Sequence, residues 1–456
     1  MYARLSAAAV AVALSIAAPH AQAPPQKVTI PVEYHTLDNG LKVVLSRDTS
    51  SPTAVVAVYY GIGFRTEPKN RTGFAHLFEH MMFQGSENLG KNEFISLVQS
   101  NGGILNGSTR FDFTNYFQIV PVHTLETILW AEADRMRGLK ITQENLTNQQ
   151  DVVKNEVKVN VLNQPYGGFP WLDMPQVANT NWYNAHNFYG ELEDLDAATL
   201  EDVQRFFDMY YAPNNAALVV TGDIDTKATL SWIRRYFGGI PASKLDPMPD
   251  VSEPRQEEER RATKVDPLAS RPALALGYHV PKRDTPEYYA MGLIDQLLVQ
   301  GEDSRLHQAL VQRRGLTGSV SGGINPLLGS MFDVNGPTLW MVWLIHDAER
   351  SADEIVGAID EEIARLQETP IAREELDLAL VKRRSRLYAD YEQFVGFGRA
   401  NLLACFALFD DDPAKINRLE DEFRKVTPAL IQKTAREYLR RTNRTILTVT
   451  AKTKGN

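Results

Sequence analysis

The chain repeats one helix-to-strand pattern in its two halves. In the first half, the amphipathic segment 203–207 leads to the strand-like segment 218–221. In the second half, segment 431–435 leads to segment 446–449 with the same offset. A constant offset across both a helix and a strand is typical of a duplicated unit, although any two amphipathic helices resemble each other to some degree. The repeat favours a fold built from two similar halves.

The order of the predicted elements favours an α+β fold. Residues 28–37 and 41–45 alternate between apolar and polar side chains, and Asp38-Asn39-Gly40 between them is a hairpin turn signal. Helical periodicity follows near residues 72–82, and strands return over 104–121. This mixed order differs from a regular alternation of strand and helix. We therefore predict that each half is a mainly antiparallel sheet packed with helices.

The overall composition excludes several classes of protein. The 456 residues exceed the size at which one hydrophobic core stops growing, which predicts two or more domains. The formal net charge is -9 and no segment is rich in lysine and arginine, so we expect no nucleic-acid partner. Cys405 is the single cysteine, and its apolar surroundings predict a buried, unreactive thiol.

The N-terminus has the pattern of a secretory signal peptide. Arg4 precedes an apolar run over residues 7–18, and Ala21-Gln22-Ala23 provides a small-x-small cleavage site. The apolar run is too short to span a bilayer, and no later segment of the sequence is long and apolar enough to be a membrane helix. We expect a soluble mature chain that is periplasmic or otherwise exported.

The motif His76-Leu77-Phe78-Glu79-His80 is the strongest functional signal in the sequence. On a helix, positions i and i+4 lie on one face, so both imidazoles can reach one zinc ion. Glu79 then projects beside the metal, where its carboxylate can accept a proton from water. The apolar flanks of the motif predict a buried helix, in which these polar groups need partners. The sequence therefore predicts a catalytic zinc site.

A catalytic zinc site needs a third protein ligand and one open position. Glu156 is a candidate because Val152, Val153 and Asn160 share its helix face, which would direct its carboxylate inward. Spacing alone does not single out Glu156 among the other acidic residues. The ligand set of two histidines and one glutamate favours zinc among the possible metals.

These residues resemble the pitrilysin/insulinase family of zinc metallopeptidases. In that family a glutamate ligand follows the histidine motif by about 75 residues, and Glu156 lies 76 positions after His80. The segments 102–109, 165–167 and 211–215 are also similar to the family. The resemblance spans essentially the whole mature chain, and the second half matches more loosely.

The resemblance implies a fold, a function and a substrate-binding strand. Family members have two similar α+β halves, and pairs of such units enclose a chamber that admits peptides and unfolded segments. The resemblance thus implies a zinc endopeptidase with one zinc ion per chain. An edge strand pairs with the substrate backbone, as in β-augmentation, and the corresponding residues here are Asn106, Gly107, Ser108 and Thr109.

Two departures from the family pattern affect the predicted function. Gln149 stands where many members carry a glutamate, and we expect it to support the ligands through hydrogen bonds. In the second half, Val311 and Gly318 stand where the family has an arginine and a tyrosine that complete the active site. We therefore expect a heterodimer in which a homologous subunit supplies that arginine and tyrosine. The alternative is a non-catalytic scaffold or core-type subunit of the same fold.

The sequence predicts four segments along the chain. Residues 1–23 form the signal peptide, and residues 24–240 form an N-terminal metallopeptidase domain with the zinc site. Residues 241–267 are rich in proline and charge and lack an apolar face, which is typical of a linker. Residues 268–456 form a homologous C-terminal domain without metal ligands.

Overall fold

The computed structural model of the protein describes residues 28–451. The predicted signal peptide, residues 1–23, lies outside the described residues. Two β-sheets, one from each half of the chain, are each packed with helices. Within residues 28–451, no helix has both the length and the apolar character needed to cross a bilayer.

The first half contains a six-stranded sheet and nine helices among the residues described. Its strands are β1 Glu33–Thr36, β2 Lys42–Arg47, β3 Thr53–Tyr60, β4 Ile104–Thr109, β5 Thr114–Pro121 and β6 Ala216–Gly222. Its helices are α1 Phe74–Met81, α2 Glu93–Ser100, α3 Leu125–Arg137, α4 Gln143–Val157, α5 Asp173–Ala178, α6 Trp182–Ala185, α7 Leu192–Asp196, α8 Leu200–Tyr210 and α9 Thr226–Phe237. A π-helical turn continues α4 over Lys158–Leu162.

The second half contains a five-stranded sheet and five helices over the same described range. Its strands are β7 Arg260–Asp266, β8 Ala273–His279, β9 Ser321–Ile324, β10 Leu339–Ile345 and β11 Arg444–Ala451. Its helices are α10 Pro286–Leu298, α11 Ala352–Glu368, α12 Arg373–Asp410, α13 Leu419–Arg424 and α14 Pro428–Tyr438. A π-helical turn covers His307–Arg313.

The two sheets share one topology. The strand order is β1-β2-β6-β3-β5-β4 in the first sheet and β7-β11-β8-β10-β9 in the second. Apart from the added β1, each sheet places the last strand of its half beside the first and pairs them in parallel. The other pairings are antiparallel. The prediction of an α+β fold with two similar halves is confirmed.

The irregular connection between the sheets is shorter than the predicted linker, residues 241–267. Residues 241–259 contain no helix or strand, whereas Arg260–Asp266 form β7, which pairs with β11. Exposed and less exposed positions alternate along this strand, and its charged residues occur at both kinds of position. Charged residues are common on edge strands because they oppose further strand pairing.

Helix α12 joins the two halves. It packs on β2, β3 and β6 of the first sheet as well as on α10 of the second half. The rings of Phe117 on β5 and Phe397 on α12 stack with centroids 3.7 Å apart. The helix is interrupted at residues 393–396, where Phe394 and Val395 have positive φ angles. One continuous hydrophobic core therefore contains residues of both halves.

Candidate metal centre

Helix α1 carries the histidine motif on the surface of the first sheet. Its apolar side chains, including Leu77 and Phe78, are fully buried in the core between the helices and the sheet. That burial fixes the orientation of the helix and turns the histidines to the opposite side, toward α4. His76 is only 2% exposed and His80 is 24% exposed. The site thus opens to solvent mainly on the His80 side.

The structure brings His76, His80 and Glu156 together. The Nε2 atoms of His76 and His80 are 3.3 Å apart. Glu156 Oε2 lies 3.6 Å from His76 Nε2 and 3.3 Å from His80 Nε2. Ligands about 2.0–2.1 Å from a tetrahedral zinc ion lie about 3.3–3.4 Å from one another. The three donor atoms therefore have the mutual spacing that one zinc ion requires.

The charge states of two of these side chains also suit a metal ligand. Burial lowers the pKa of His76 to about 3, an effect that the nearby His80 reinforces and Glu156 opposes. His76 is therefore a neutral imidazole with a free lone pair at neutral pH. The hydrogen bond with His80 lowers the pKa of Glu156, so this group is a carboxylate. Neutral imidazole and carboxylate are the forms that bind metals.

Glu79 lies beside the three donors and is held by the edge strand β4. Thr109 Oγ1 donates a hydrogen bond to Glu79 Oε2 over 2.8 Å. A Cβ atom on Gly107 would lie 3.3 Å from Glu79 Cγ, so the strand packs closely against the Glu79 side chain. Burial raises the pKa of Glu79, and the bond from Thr109 partly offsets this rise. The arrangement makes Glu79 a stronger proton acceptor than an exposed glutamate.

The N-terminus of α1 is held by groups distant in sequence. Glu67 is fully buried, and its carboxylate accepts hydrogen bonds from the backbone N–H groups of Gly73 and Ala75 over 2.9 and 2.6 Å. Gly73 has a φ angle of 82°, and a Cβ added there would lie 2.5 Å from the carbonyl oxygen of Tyr189, whereas one added at Gly190 would lie 2.3 Å from the backbone nitrogen of Gly73. These contacts satisfy the free N–H groups of the helix and fix its start.

Two aromatic residues at the metal centre were missed by the sequence analysis. The hydroxyl of Tyr189 donates to Glu156 Oε1 over 3.2 Å, and its ring lies against that of His76 with centroids 5.1 Å apart. The Phe188 ring also lies against His76, with centroids 4.5 Å apart, and it contacts the Tyr189 ring at 4.9 Å. Both residues lie in a loop, where no periodic pattern shows the direction of a side chain. Their place directly before Gly190 was the one sequence feature that marked this segment.

The remaining predicted site residues lie on strand β4 and helix α4. Asn106, Gly107, Ser108 and Thr109 lie on β4, which pairs with β5 on one side only and forms the edge of the first sheet. Gln149 is buried on α4, and its side-chain nitrogen donates to Asn148 Oδ1 over 2.7 Å. Tyr189, rather than Gln149, makes the hydrogen bond that orients Glu156.

As far as residue 451, the second half has no counterpart of the group formed by His76, His80 and Glu156. Helix α10 follows β8 as α1 follows β3, but Gly292 and Gln296 stand where the histidines would be. Val311 is half-buried in a π-helical turn, and Gly318 is exposed in a loop. The nearby Arg313 and Arg314 form ion pairs with Glu362 and Glu361 of α11. Both guanidinium groups are therefore held at α11.

We expect Tyr189→Phe to lower the affinity for zinc and Glu156→Ala to lower it further. Tyr189→Phe keeps the ring and removes the hydroxyl that donates to Glu156, and loss of such an outer contact typically weakens metal binding about 10–100-fold. Glu156→Ala removes a ligand and should weaken binding further. Competition with a zinc chelator measures both. Full zinc occupancy in Glu156→Ala would show that a different residue is the third ligand.

Two models of one peptidase family match the chain. The model described as insulinase (peptidase family M16) matches residues 42–166, which include the whole histidine motif and Glu156. The model described as the peptidase M16 inactive domain matches residues 197–381. The first of the two matched ranges therefore contains His76, His80 and Glu156, and the second contains none of them.

Curated relatives include proteins named zinc proteases. The chain is 30% identical over 290 residues to zinc protease PqqE of Helicobacter pylori, a match that covers 62% of this chain and 64% of that protein. It is 22% identical over 293 residues to the uncharacterized zinc protease YmxG of Bacillus subtilis, covering 63% of this chain and 69% of that one. The match to PqqE therefore spans less than two thirds of either protein.

Solved structures show the same fold over nearly the whole chain. A protease from Helicobacter pylori has a TM-score of 0.84 at 24% identity, covering 92% of this chain and 100% of that one. A peptidase M16 inactive domain from Pseudomonas fluorescens has a TM-score of 0.80 at 16% identity, covering 93% and 99%. The two family models, which together match more than half of the chain, show that it belongs to the insulinase family of peptidases, family M16.

Proposed function

We propose that the chain is the zinc-binding, catalytic subunit of an endopeptidase. The observation that carries the proposal is the triangle of donor atoms on His76, His80 and Glu156, with Glu79 beside it. A storage or transport site would need the three ligands but no neighbouring base. The names of the zinc proteases among its relatives support the same function.

Each residue of the centre has a distinct role in this proposal. A bound zinc ion polarises a peptide carbonyl and lowers the pKa of water to about 7. His76, His80 and Glu156 hold the ion, and Tyr189 orients the Glu156 carboxylate. Glu79 accepts the proton of the attacking water and passes it to the amine that leaves. Thr109 holds the Glu79 carboxylate in position for both transfers.

The substrate would bind as an additional strand along β4. The outer edge of β4 faces away from β5, so its backbone groups are available to an extended peptide. Because β4 packs against Glu79 at Gly107, such a peptide would lie close to the metal centre. Peptides and unfolded segments have the free backbone groups that this mode of binding requires.

A homologous partner subunit completes the proposed enzyme. Neither valine nor glycine has a side chain that can donate a hydrogen bond, so Val311 and Gly318 cannot stabilise the negative charge that develops on a peptide carbonyl. We infer that a relative supplies the arginine and tyrosine in a chamber between the two chains. The division into a metallopeptidase domain (24–240) and a domain without ligands (268–456) is part of this proposal.

A non-catalytic subunit of the same fold is the second candidate. The match of residues 197–381 to a family's inactive domain and the substitutions at Val311 and Gly318 favour it. Zinc analysis combined with cleavage of a fluorescence-quenched peptide separates the two functions. A chain that binds no zinc and cleaves no peptide, alone or with a homologous partner, would exclude the catalytic role.

We expect the mature protein to be exported to the periplasm or an equivalent compartment. Cleavage after Ala23 would make Pro24 the new N-terminal residue. Mass spectrometry of the N-terminal peptide from fractionated cells measures both the cleavage site and the compartment. An intact Met1 in the cytosolic fraction would contradict this prediction.

A further inference from the structure

A cavity of about 370 Å³ lies between the first sheet and the second half of the protein. Ser108 and Arg110 at the end of β4 line one wall. Asp295 on α10 and Arg383 and Arg386 on α12 line the other. Along a strand, alternate side chains point to opposite faces. Thr109 bonds to Glu79 on one face of β4, whereas Ser108 and Arg110 border the cavity on the other.

Arg383 is buried in this cavity without a partner for one edge of its guanidinium group. The side chain is 9% exposed, and its Nε and Nη2 atoms have no hydrogen-bond partner among residues 28–451. The rings of Phe332 and Phe423 lie near the guanidinium at 5.5 and 5.0 Å. A buried charge normally has a hydrogen-bonded ion-pair partner because leaving it unpaired is costly.

In two other arginines of this protein, the Nε and Nη2 atoms bind a carboxylate. Arg305 donates from Nε and Nη2 to the carboxylate of Glu375 over 2.7–2.9 Å. Arg444 uses the same two atoms to hold Glu259. This parallel pair of N–H groups matches the two oxygens of a carboxylate. The free edge of Arg383 thus has the geometry of a carboxylate site.

The three carboxylates that line the cavity each have a hydrogen-bond or ion-pair partner other than Arg383. Asp295 Oδ1 accepts a hydrogen bond from Trp340 Nε1 over 2.9 Å. Asp390 pairs with Arg386 over 3.0 Å. Asp333 accepts from the side chain of Asn401 and the backbone N–H of Ser330, both over 2.7 Å. Burial lowers the pKa of Arg383, and the charges of Asp390 and Asp295 oppose that effect. Neither carboxylate forms a hydrogen bond with Nε or Nη2, so no carboxylate among residues 28–451 is bound to this edge of Arg383.

We propose that this cavity binds a carboxylate of the peptide substrate through Arg383. The inference rests on the proposed peptidase function, since β4 both forms a wall of the cavity and is the strand proposed to hold the substrate. The carboxylate can be the C-terminus of the peptide or an acidic side chain, because both present the same two oxygens. The site would favour peptides that carry such a group at a fixed distance from the segment on β4.

Calorimetric titration of the mature, zinc-loaded Glu79→Gln chain tests this proposal without hydrolysis. The probes are one peptide with a free C-terminus, the same peptide with a C-terminal amide, and the amide with one interior glutamate. Acetate serves as the small free carboxylate. We expect a carboxylate-bearing peptide to bind about 10–100-fold more tightly than the amide, as charged hydrogen bonds typically provide. The peptide that gains affinity identifies the source of the carboxylate.

Arg383→Gln should abolish the difference between the acid and amide peptides, and Arg383→Lys should retain only a small part of it. Arg373→Gln, which removes a positive charge from a 70% exposed side chain of α12, is the matched control and should keep the full difference. Arg383→Gln also removes the contacts of the guanidinium with the Phe332 and Phe423 rings, so the melting temperature of each variant serves as the folding control. If Arg383→Gln does not fold, Arg383→Lys provides the same comparison.

The outcomes separate this proposal from the proposed function. Cleavage of both peptides with equal affinities for acid and amide would overturn the carboxylate site and leave the peptidase intact. An Arg383-dependent preference for the acid, without cleavage of any peptide by the wild-type chain and a partner, would overturn the peptidase function alone. Acetate binding that requires Arg383 without a preference among the peptides would overturn the assignment to the substrate.

Discussion

Glu79→Gln should retain zinc and lose nearly all peptide hydrolysis. The change keeps the size of the side chain and leaves His76, His80 and Glu156 in place, so the metal centre should load normally. Glutamine cannot accept the proton of the attacking water, and loss of a general base typically lowers the rate about 10²–10⁴-fold. Zinc analysis by mass spectrometry and cleavage of a quenched peptide, with the partner subunit present, measure the two effects separately.

Two controls distinguish the base from its surroundings. Glu126→Gln makes the same chemical change at a 42% exposed position on α3 and should leave both zinc content and turnover unchanged. Thr109→Val removes the hydrogen bond to Glu79 while the base remains, so we expect a smaller loss of turnover than in Glu79→Gln. Wild-type turnover in Glu79→Gln would show that another group accepts the proton.

The isolated chain should be a poor peptidase, and a homologous partner should restore its activity. Loss of one group that donates to the developing oxyanion typically lowers kcat about 10²–10³-fold. A homodimer would repeat the defect because both copies carry Val311 and Gly318. We expect the isolated chain to bind zinc, to cleave a quenched peptide slowly, and to gain at least about 10²-fold when the partner is added.

The reverse substitutions test the same prediction within one chain. A Cβ atom added at Gly318 would meet no atom within 4 Å, so Gly318→Tyr should be tolerated. The double variant Val311→Arg, Gly318→Tyr should raise the activity of the lone chain if it pairs with itself. Gly239→Tyr, at another glycine with open space around its Cβ, is the matched control and should change nothing. Full activity of the unmodified lone chain would contradict the need for a partner.

The sequence predicted the parts of the site that depend on local structure. The histidine motif lies on one short helix, so its period of 3.6 residues is sufficient to place His76 and His80 on the same face. Glu156 was different, because no local rule relates α4 to α1. Only the family resemblance selected it, and the face chosen for it was partly wrong. Val153 is buried, but Asn160 is exposed.

Contacts between distant segments could not be predicted in this way. Tyr189 bonds to Glu156, and Glu67 bonds to the N-terminus of α1. Both residues lie in irregular segments, where no periodic pattern shows the direction of a side chain. The same reason explains why the residues of β7 were predicted to be part of the linker. Their charged side chains are compatible with a solvated linker and with an edge strand. Pairing with β11, which is about 185 residues away in sequence, decided between them.

The order in which the strands are joined has a consequence for how the protein folds during synthesis. In each sheet the last strand of its half lies in the interior, between the first two long strands: β6 between β2 and β3, and β11 between β7 and β8. The interior pairings of each sheet cannot form until its final strand has left the ribosome. Until then, each nascent half exposes unpaired strand edges. Premature termination before residue 444 would leave β8 and β7 without their common neighbour, so such fragments should aggregate rather than form a stable shorter protein.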